Sequence, residues 1–544
     1  METLNPAPEL RRPKAKDSIL WLVLVALAAV LRLGPIASGL PYSDYVDEGH
    51  ILHPAITILK SKTFDTTFST YPPLTSYLTV AAIKVYSPFY RIFHHHKLWK
   101  DFPAEQDFHT DLGEYYDLVT PPDIIWLGRL VIACLSIATV IVAGALAKSL
   151  AGSRAGLLAI LFTALSPALV SRGSIVIIDT VGTFFVLTTL YFCQRLRVLA
   201  ASNNRLVWRS AAFTGIAAGL ACAAKYTVGV VFIAVLVTIL MLPVAKKSKT
   251  ILILVSSAGL LAGIFCGAPG MLLHSGKIVE ELRGLASFYQ TIKSDQGYWS
   301  AAISGWEIGV PLMITGLAGI IWMFWNASTR GVAVSWIAFA LLLLSAVVWS
   351  TFQPFRNLLS LVPPLCIAAA LLCDSLGQYL ECSQRRLAFI FWVAPALILF
   401  VAVSLAWSSL RHLQLRTPHI DTRIRAIDWL RQHATKEETV LAIRELSILP
   451  AEWKRIAATA TVIPWFQAAD LLERQRFDYV VTGDFDLRYA SDPNAWSAYR
   501  ERWQAKVSPL PVQADFGQVV TPVRPYLWRT NDERILILKG NAQH

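Results

Sequence analysis

Three carboxylates fall within Asp44-Tyr45-Val46-Asp47-Glu48, just after an apolar run, and three more charges interrupt apolar sequence further on: Asp179, Lys225 and Arg356. A carboxylate can accept the proton of an attacking hydroxyl, and Lys or Arg can hold a phosphate and stabilise it as it departs. Brought together at a lipid surface, such groups suit one chemistry, in which a sugar carried on a lipid phosphate is handed to a hydroxyl or similar nucleophile. The lipid donor would enter sideways between spans, leaving only its phosphate and sugar in water.

Each of these residues also has a plainer reading. Acids in a first helical turn are favoured by the helix dipole, so Asp44, Asp47 and Glu48 could be a solvated helix start. A lone cation at a span end commonly snorkels to the interface, which would account for Lys225 in Ala223-Ala224-Lys225-Tyr226-Thr227 and for Arg356 in Gln353-Pro354-Phe355-Arg356-Asn357. Asp179 is different. It lies in the apolar run Ile175 to Leu187 with no local cation, and an acid so placed is a functional candidate by default.

What must position these side chains is a set of membrane spans. A chain of 544 residues that is 55% hydrophobic and only 16% charged, with 18 Trp, is polytopic rather than soluble. Its net charge of +12 sits mostly at span ends, where it sets topology, so no nucleic-acid partner is implied. The basic segments are the N-terminus, Lys148 to Arg154, Arg195 to Arg209, Lys246 to Lys249, Arg330, and Arg385 with Arg386. Placing all six in the cytosol gives eleven spans near 18–38, 124–147, 155–172, 180–194, 209–224, 226–245, 250–269, 301–325, 331–350, 358–378 and 387–408. Tyr71 to Phe93 could cross as well, but every later basic loop would then flip outward. It is therefore laid on the outer surface as an amphipathic helix.

Under this parity the outer side carries a loop from about Pro41 to Asp123, a short loop at Asp179, the turn at Lys225, the loop Gly270 to Ser300, the turn Thr351 to Asn357 and the tail from Ser409. Every candidate charge falls on that one side. The N-terminal run Ser18 to Leu33, preceded by Arg11, Arg12, Lys14 and Lys16, resembles a signal peptide but is read as a retained first span, since no small-residue cleavage site follows cleanly. The seven cysteines lie in or beside apolar runs and imply no disulfide framework. In the tail, Asp421 to His433 has helical spacing, and Thr439 to Ile443, Phe477 to Thr482 and Arg534 to Lys539 read as strands. A small C-terminal α/β domain over 409–544 thus follows a membrane domain over 1–408.

In order along the membrane part come Asp47-Glu48 after the first span, Thr70-Tyr71-Pro72-Pro73-Leu74, Ile178-Asp179-Thr180 before a Phe-rich span, Gly219 through Lys225-Tyr226, and Arg356-Asn357-Leu358-Leu359 leading into Leu361-Val362-Pro363-Pro364-Leu365. Together they resemble the protein O-mannosyltransferase and aminoarabinose-transferase group of GT-C-fold membrane glycosyltransferases, over residues up to about 408. The resemblance implies a polyprenyl-phosphate-sugar donor, inverting transfer on the outer face and juxtamembrane helices in the first outer loop. It assigns Asp47 the general-base role, with Glu48 its neighbour. Asp179 becomes the second essential acid, which orients the acceptor or shares the proton, and Arg356 and Lys225 become phosphate-binding cations. Asp44, Tyr71 and Asn357 are further candidates within the same motifs. The chain departs from the aminoarabinose transferases in one respect: where they have Lys before the first-loop Pro, it has Thr70-Tyr71-Pro72.

Oligosaccharyltransferases of the same fold bind a divalent ion through Asp-x-Asp. Here the spacing is Asp-x-x-Asp-Glu, and a monophosphate leaving group needs less neutralisation, so no obligatory metal or other cofactor is expected. Consecutive imidazoles in His94-His95-His96 cannot all face one ion. The expected partners are the lipid-linked donor, membrane lipids and an acceptor that is a protein, lipid or glycan. The location is the inner membrane, with the N-terminus cytoplasmic and the active face and C-terminal domain extracytoplasmic. The loop Met271 to Trp299, with helical spacing and terminal aromatics, is expected to close over the donor head group. A transporter or flippase of lipid-linked sugars is the rival from another class, but such folds usually show repeated halves and a mid-bilayer site.

Overall fold

The computed structural model describes residues 15–42, 45–64, 71–94, 122–202, 204–291, 297–303, 307–349, 353–382, 392–415, 421–446, 448, 450–483, 500–517 and 534–540. Asp44, Thr70, His95 and His96 fall outside this set. The chain divides into two compact units. One comprises residues 1–36, 63–79 and 129–415, and the other residues 37–62, 80–128 and 416–544.

The first unit is a helical bundle. Among the described residues of the whole chain, eight helices are long and apolar enough to cross a membrane, and three shorter apolar helices accompany them: Ser153–Leu165, Tyr226–Leu240 and Val310–Trp325. Tyr71 to Phe93 is not among the eight; a helix does form there, over Leu74–His94. Burial separates centre from periphery. The apolar window of Phe355–Tyr379 is 72% buried, whereas those of Lys16–Ala37 and Val393–Gln414 are 22% buried and leave Leu22, Val30, Phe400 and Val403 exposed. Exposed apolar stripes of this kind match a hydrocarbon solvent rather than water.

Close backbone approach sets the Lys225 helix. Helix Val207–Ala224 carries Gly215 and Gly219, and helix Lys246–Gly267 carries Gly259 and Gly263, each pair four residues apart and therefore on one face. A Cβ on Gly219 would stand 2.2 Å from the Leu260 carbonyl oxygen, and one on Gly263 would stand 2.3 Å from that of Ile216. Glycine at these positions lets the two backbones touch, the small-residue packing that membrane helices use where no hydrophobic effect drives them together.

Buried arginines tie further helices to the bundle. Arg32, with no exposed surface, donates to the Ser136 hydroxyl at 2.7 Å and to the carbonyls of Ala164 and Thr163, both at 3.1 Å. Arg129, equally buried, donates to the Ile36 carbonyl at 3.0 Å. Arg154 meets the buried Asp374 at 3.5 Å, so an acid within helix Val362–Cys382 is neutralised beside the basic segment 148–154. Asp374 lies roughly five helical turns along the chain from Arg356.

In the second unit a five-stranded sheet runs in the order β2-β1-β3-β5-β4, with β1 Thr439–Ile443, β2 Thr459–Ile463, β3 Tyr479–Gly483, β4 Val512–Phe516 and β5 Ile535–Lys539. β1 pairs parallel with β2 and β3, and β5 pairs antiparallel with β3 and β4. Helix Thr422–His433 begins where the sequence pattern places it, because Asp421 caps it by accepting from the Arg423 amide at 2.8 Å. The Arg423 guanidinium then lies 3.6 Å from the ring centroid of Tyr42, in the first-loop part of the same unit.

Candidate active site

In the second unit, helix Val46–Ser61 starts immediately before the acidic pair, so Asp47 and Glu48 occupy its first turn. Asp47 is half-buried and Glu48 has no exposed surface, which removes the solvated-helix-start reading for Glu48. Tyr71, in the first unit, is half-buried just before helix Leu74–His94.

In the first unit, helix ends do the positioning. Asp179 sits in the first turn of helix Ile178–Ala201, where the partial positive charge of the unsatisfied amides favours a carboxylate. Helix Val207–Ala224 stops at Lys225, whose backbone turns extended (φ −153°, ψ 119°) before a 3₁₀ turn over Tyr226–Val231. The chain breaks there and leaves a cation at a helix C-terminus. Close packing joins the two ends, since a Cβ on Gly182, one turn into the Asp179 helix, would lie 3.5 Å from the Lys225 Cβ.

Lys225 Nζ donates to Asp179 Oδ1 at 2.5 Å and to Asn357 Oδ1 at 2.8 Å. Asn357 Nδ2 in turn donates to the Tyr298 hydroxyl oxygen at 3.0 Å. Asn357 belongs to the 3₁₀ segment Phe355–Leu361, which also carries the half-buried Arg356. Burial pushes the Tyr298 phenol up from its ordinary pKa, while the Asn357 hydrogen bond and the positive charge of Arg356 pull it down and the Asp179 carboxylate raises it further. Asp179, Lys225, Tyr298, Arg356 and Asn357 thus form one electrostatic cluster.

Sequence reasoning singled out four of these five residues but treated Lys225 and Asp179 as separate charges. Tyr298 was visible only as an interfacial aromatic. The buried pair Arg172 and Glu307 was missed altogether, because Glu307 falls inside the expected span 301–325 and Arg172 closes the expected span 155–172. Beside Lys225, Tyr226 lines a cavity of about 380 Å³ with Phe64, Tyr77, Pro269 and Lys277. Helix Ser275–Thr291 supplies one wall of it through Lys277 and Ile278. Among the described residues no group of three His, Cys, Asp or Glu side chains could hold a metal ion.

Residues 72–267 match the family model of the dolichyl-phosphate-mannose-protein mannosyltransferases. Among solved structures, ArnT from Cupriavidus metallidurans in the apo state aligns with a TM-score of 0.52 at 14% identity, covering 96% of this chain and 98% of that one. The chain has the GT-C fold. The oligosaccharyltransferase of Archaeoglobus fulgidus aligns at a TM-score of 0.48 and 12% identity over 86% of this chain and 69% of that one. The S. cerevisiae Pmt1-Pmt2 complex bound to the sugar donor aligns at 0.36 and 22% identity over 47% and 33%. No curated protein matches the chain in sequence.

Proposed function

We propose that this protein transfers a sugar from a polyprenyl-phosphate donor to an acceptor hydroxyl on the extracytoplasmic face of the membrane, with inversion at the anomeric carbon. The acceptor oxygen attacks that carbon, the bond from carbon to phosphate oxygen breaks, the hydroxyl proton passes to a carboxylate, and polyprenyl phosphate leaves. Asp47 is the carboxylate assigned to the proton, with Glu48 beside it in the same helical turn. Arg356 and Lys225 are assigned to the departing phosphate, whose developing charge they would stabilise more strongly in a water-poor site than in bulk solvent. Asp179 and Asn357 hold the Lys225 ammonium in one direction, so that it need not reorganise as charge develops.

The observation that carries this reading is the Asp179–Lys225–Asn357–Tyr298 chain of hydrogen bonds with Arg356 beside it. Positions spread from 179 to 357 are gathered at one place, as a site requires and as isolated snorkelling anchors would not. The family pattern over residues 72–267 adds the donor class, since dolichyl phosphate is a polyprenyl phosphate. The cavity beside Tyr226 provides room for a head group, over which helix Ser275–Thr291 is proposed to close. No obligatory metal is part of this proposal.

The test is a transfer assay on purified protein in nanodiscs with radiolabelled polyprenyl-phosphate hexoses and pentoses, offered acceptor extracts of protein, lipid and glycan. Label passing to an acceptor with release of polyprenyl phosphate supports the reading. Movement of intact lipid-linked sugar between leaflets with no cleavage overturns it in favour of a flippase.

A further inference from the structure

We infer that Arg172 and Glu307 form a positioning pair for the Asp179–Lys225 site, fixing the helix start that carries Asp179 and the turn that carries Arg356 in a single geometry. The inference rests on the transferase reading above for its functional consequence and on geometry alone for its structural one. Two parallel hydrogen bonds, Arg172 Nη1 to Glu307 Oε2 at 2.5 Å and Nη2 to Oε1 at 2.6 Å, join residues 135 positions apart. Glu307 has no exposed surface and Arg172 is 8% exposed.

The pair reaches the site through three contacts. The Glu307 backbone carbonyl accepts from the Ala168 amide at 3.0 Å and so anchors the start of the six-residue helix Pro167–Arg172. The Arg172 carbonyl accepts from the Thr180 hydroxyl at 3.0 Å, which fixes the residue next to Asp179. The Arg172 guanidinium lies 5.9 Å from the ring centroid of Phe355, next to Arg356. The corner is already tight, for a Cβ on Gly173 would stand 2.7 Å from both the Leu169 carbonyl oxygen and the Ser136 hydroxyl.

Magnitudes decide between stability and position. Burying two charges costs several kcal/mol per ion, and a buried pair is often no more stabilising than well-packed apolar residues of the same volume. A bidentate fork between a planar guanidinium and a carboxylate does, however, set direction as well as distance, which Lys or an apolar contact cannot. A guanidinium and carboxylate engaged in such a fork act on the reaction through their neighbours.

Full-length protein in nanodiscs is compared as wild type, Glu307→Gln, Arg172→Lys, Asp179→Asn, Arg172→Glu, and Arg172→Glu combined with Glu307→Arg. Three quantities are read: the melting midpoint, kcat and KM for the polyprenyl-phosphate sugar donor, and the rate at which an amine-acylating ester modifies Lys225, followed by peptide mass spectrometry. In Glu307→Gln and Arg172→Lys, kcat is expected to fall about 100-fold, as for a small misplacement at the reacting centre. Donor KM stays near wild type, the melting midpoint falls as expected for breaking a buried pair, kcat is taken per folded protein, and Lys225 becomes about ten-fold more reactive, as it does in Asp179→Asn. The double reversal recovers part of what Arg172→Glu alone loses. Wild-type kcat and Lys225 labelling in both conservative variants overturn the inference, as does a loss of activity that tracks only a loss of folded protein. Lys225 labelling needs no substrate. If wild-type protein transfers no sugar, the transferase reading fails, while unchanged or raised labelling in Glu307→Gln still decides the fate of the pair.

Discussion

Lys225 and Asp179 are 46 positions apart in sequence and meet at 2.5 Å, the lysine ending one helix and the aspartate beginning another. Each charge complements the dipole of its own helix end as well as its partner, and both side chains are largely buried, at 12% and 3% exposure. A phosphate that uses Lys225 must therefore share it with Asp179 and Asn357.

Breaking that pair on one side should hurt more than removing it entirely. Asp179→Asn and Lys225→Met each leave an uncompensated buried group, with an expected cost of about 3 kcal/mol of stability. The double variant should cost clearly less than the sum of the two. Thermal melting of the four proteins closes the cycle, and strictly additive shifts would show that the two residues do not depend on each other. Transfer should be lost in all three variants.

The acids of the first outer segment separate by role. Asp47→Asn is expected to remove transfer by about 1,000-fold or more while expression and melting hold, as loss of a general base does. Asp44→Asn is expected to be mild. Arg356→Ala should chiefly raise KM for the lipid donor. Activity near wild type in Asp47→Asn would move the proton-accepting role to another carboxylate.

Transfer is expected to proceed without a divalent ion. Treatment with EDTA should leave initial rates unchanged, and added Mg²⁺ or Mn²⁺ should not raise them. Abolition by chelator with rescue by either ion would require a metal at the phosphate in place of the Arg and Lys charges proposed here.

Helix contact between Gly219 and Gly263 should tolerate nothing larger. Their missing side chains leave under 2.5 Å to the opposing carbonyl oxygens, so Gly219→Val or Gly263→Val must push two helices apart. Overpacking of this kind costs about 1–3 kcal/mol. Because Lys225 closes the same helix, transfer should fall further than the melting midpoint implies. Wild-type melting in both variants would mean the helices separate without penalty.

Much of this was legible in the residues. Long apolar runs gave the helices, since backbone groups in lipid must satisfy one another within a segment. β1 and β3 announced themselves as short apolar runs because they are central and buried. β2 and β4 escaped notice because they are sheet edges, whose exposed residues, Thr459 and Gln513 among them, dilute the pattern. Asp179, Lys225 and Arg356 stood out as charges in apolar sequence, but their partners did not. Pairing across 46 or 135 residues is set by how helices stack, and the Arg172–Glu307 fork leaves no trace in local spacing.

Orientation rests on the basic loops and is open to direct measurement. Lys62 and Gln353 flank the candidate acids and cations, whereas Ser202 lies in the basic segment 195–209. Single cysteines at these three positions, probed in intact cells with a membrane-impermeant maleimide, should react from outside at 62 and 353 and only after permeabilisation at 202. Labelling of the protein without an added cysteine measures the background from the seven native thiols. Lys62 follows the helix of Asp47, and Gln353 precedes the turn of Arg356. Labelling of the two from different compartments would therefore place the proposed base and the proposed phosphate ligand across the bilayer from each other, and no single transfer step could use both.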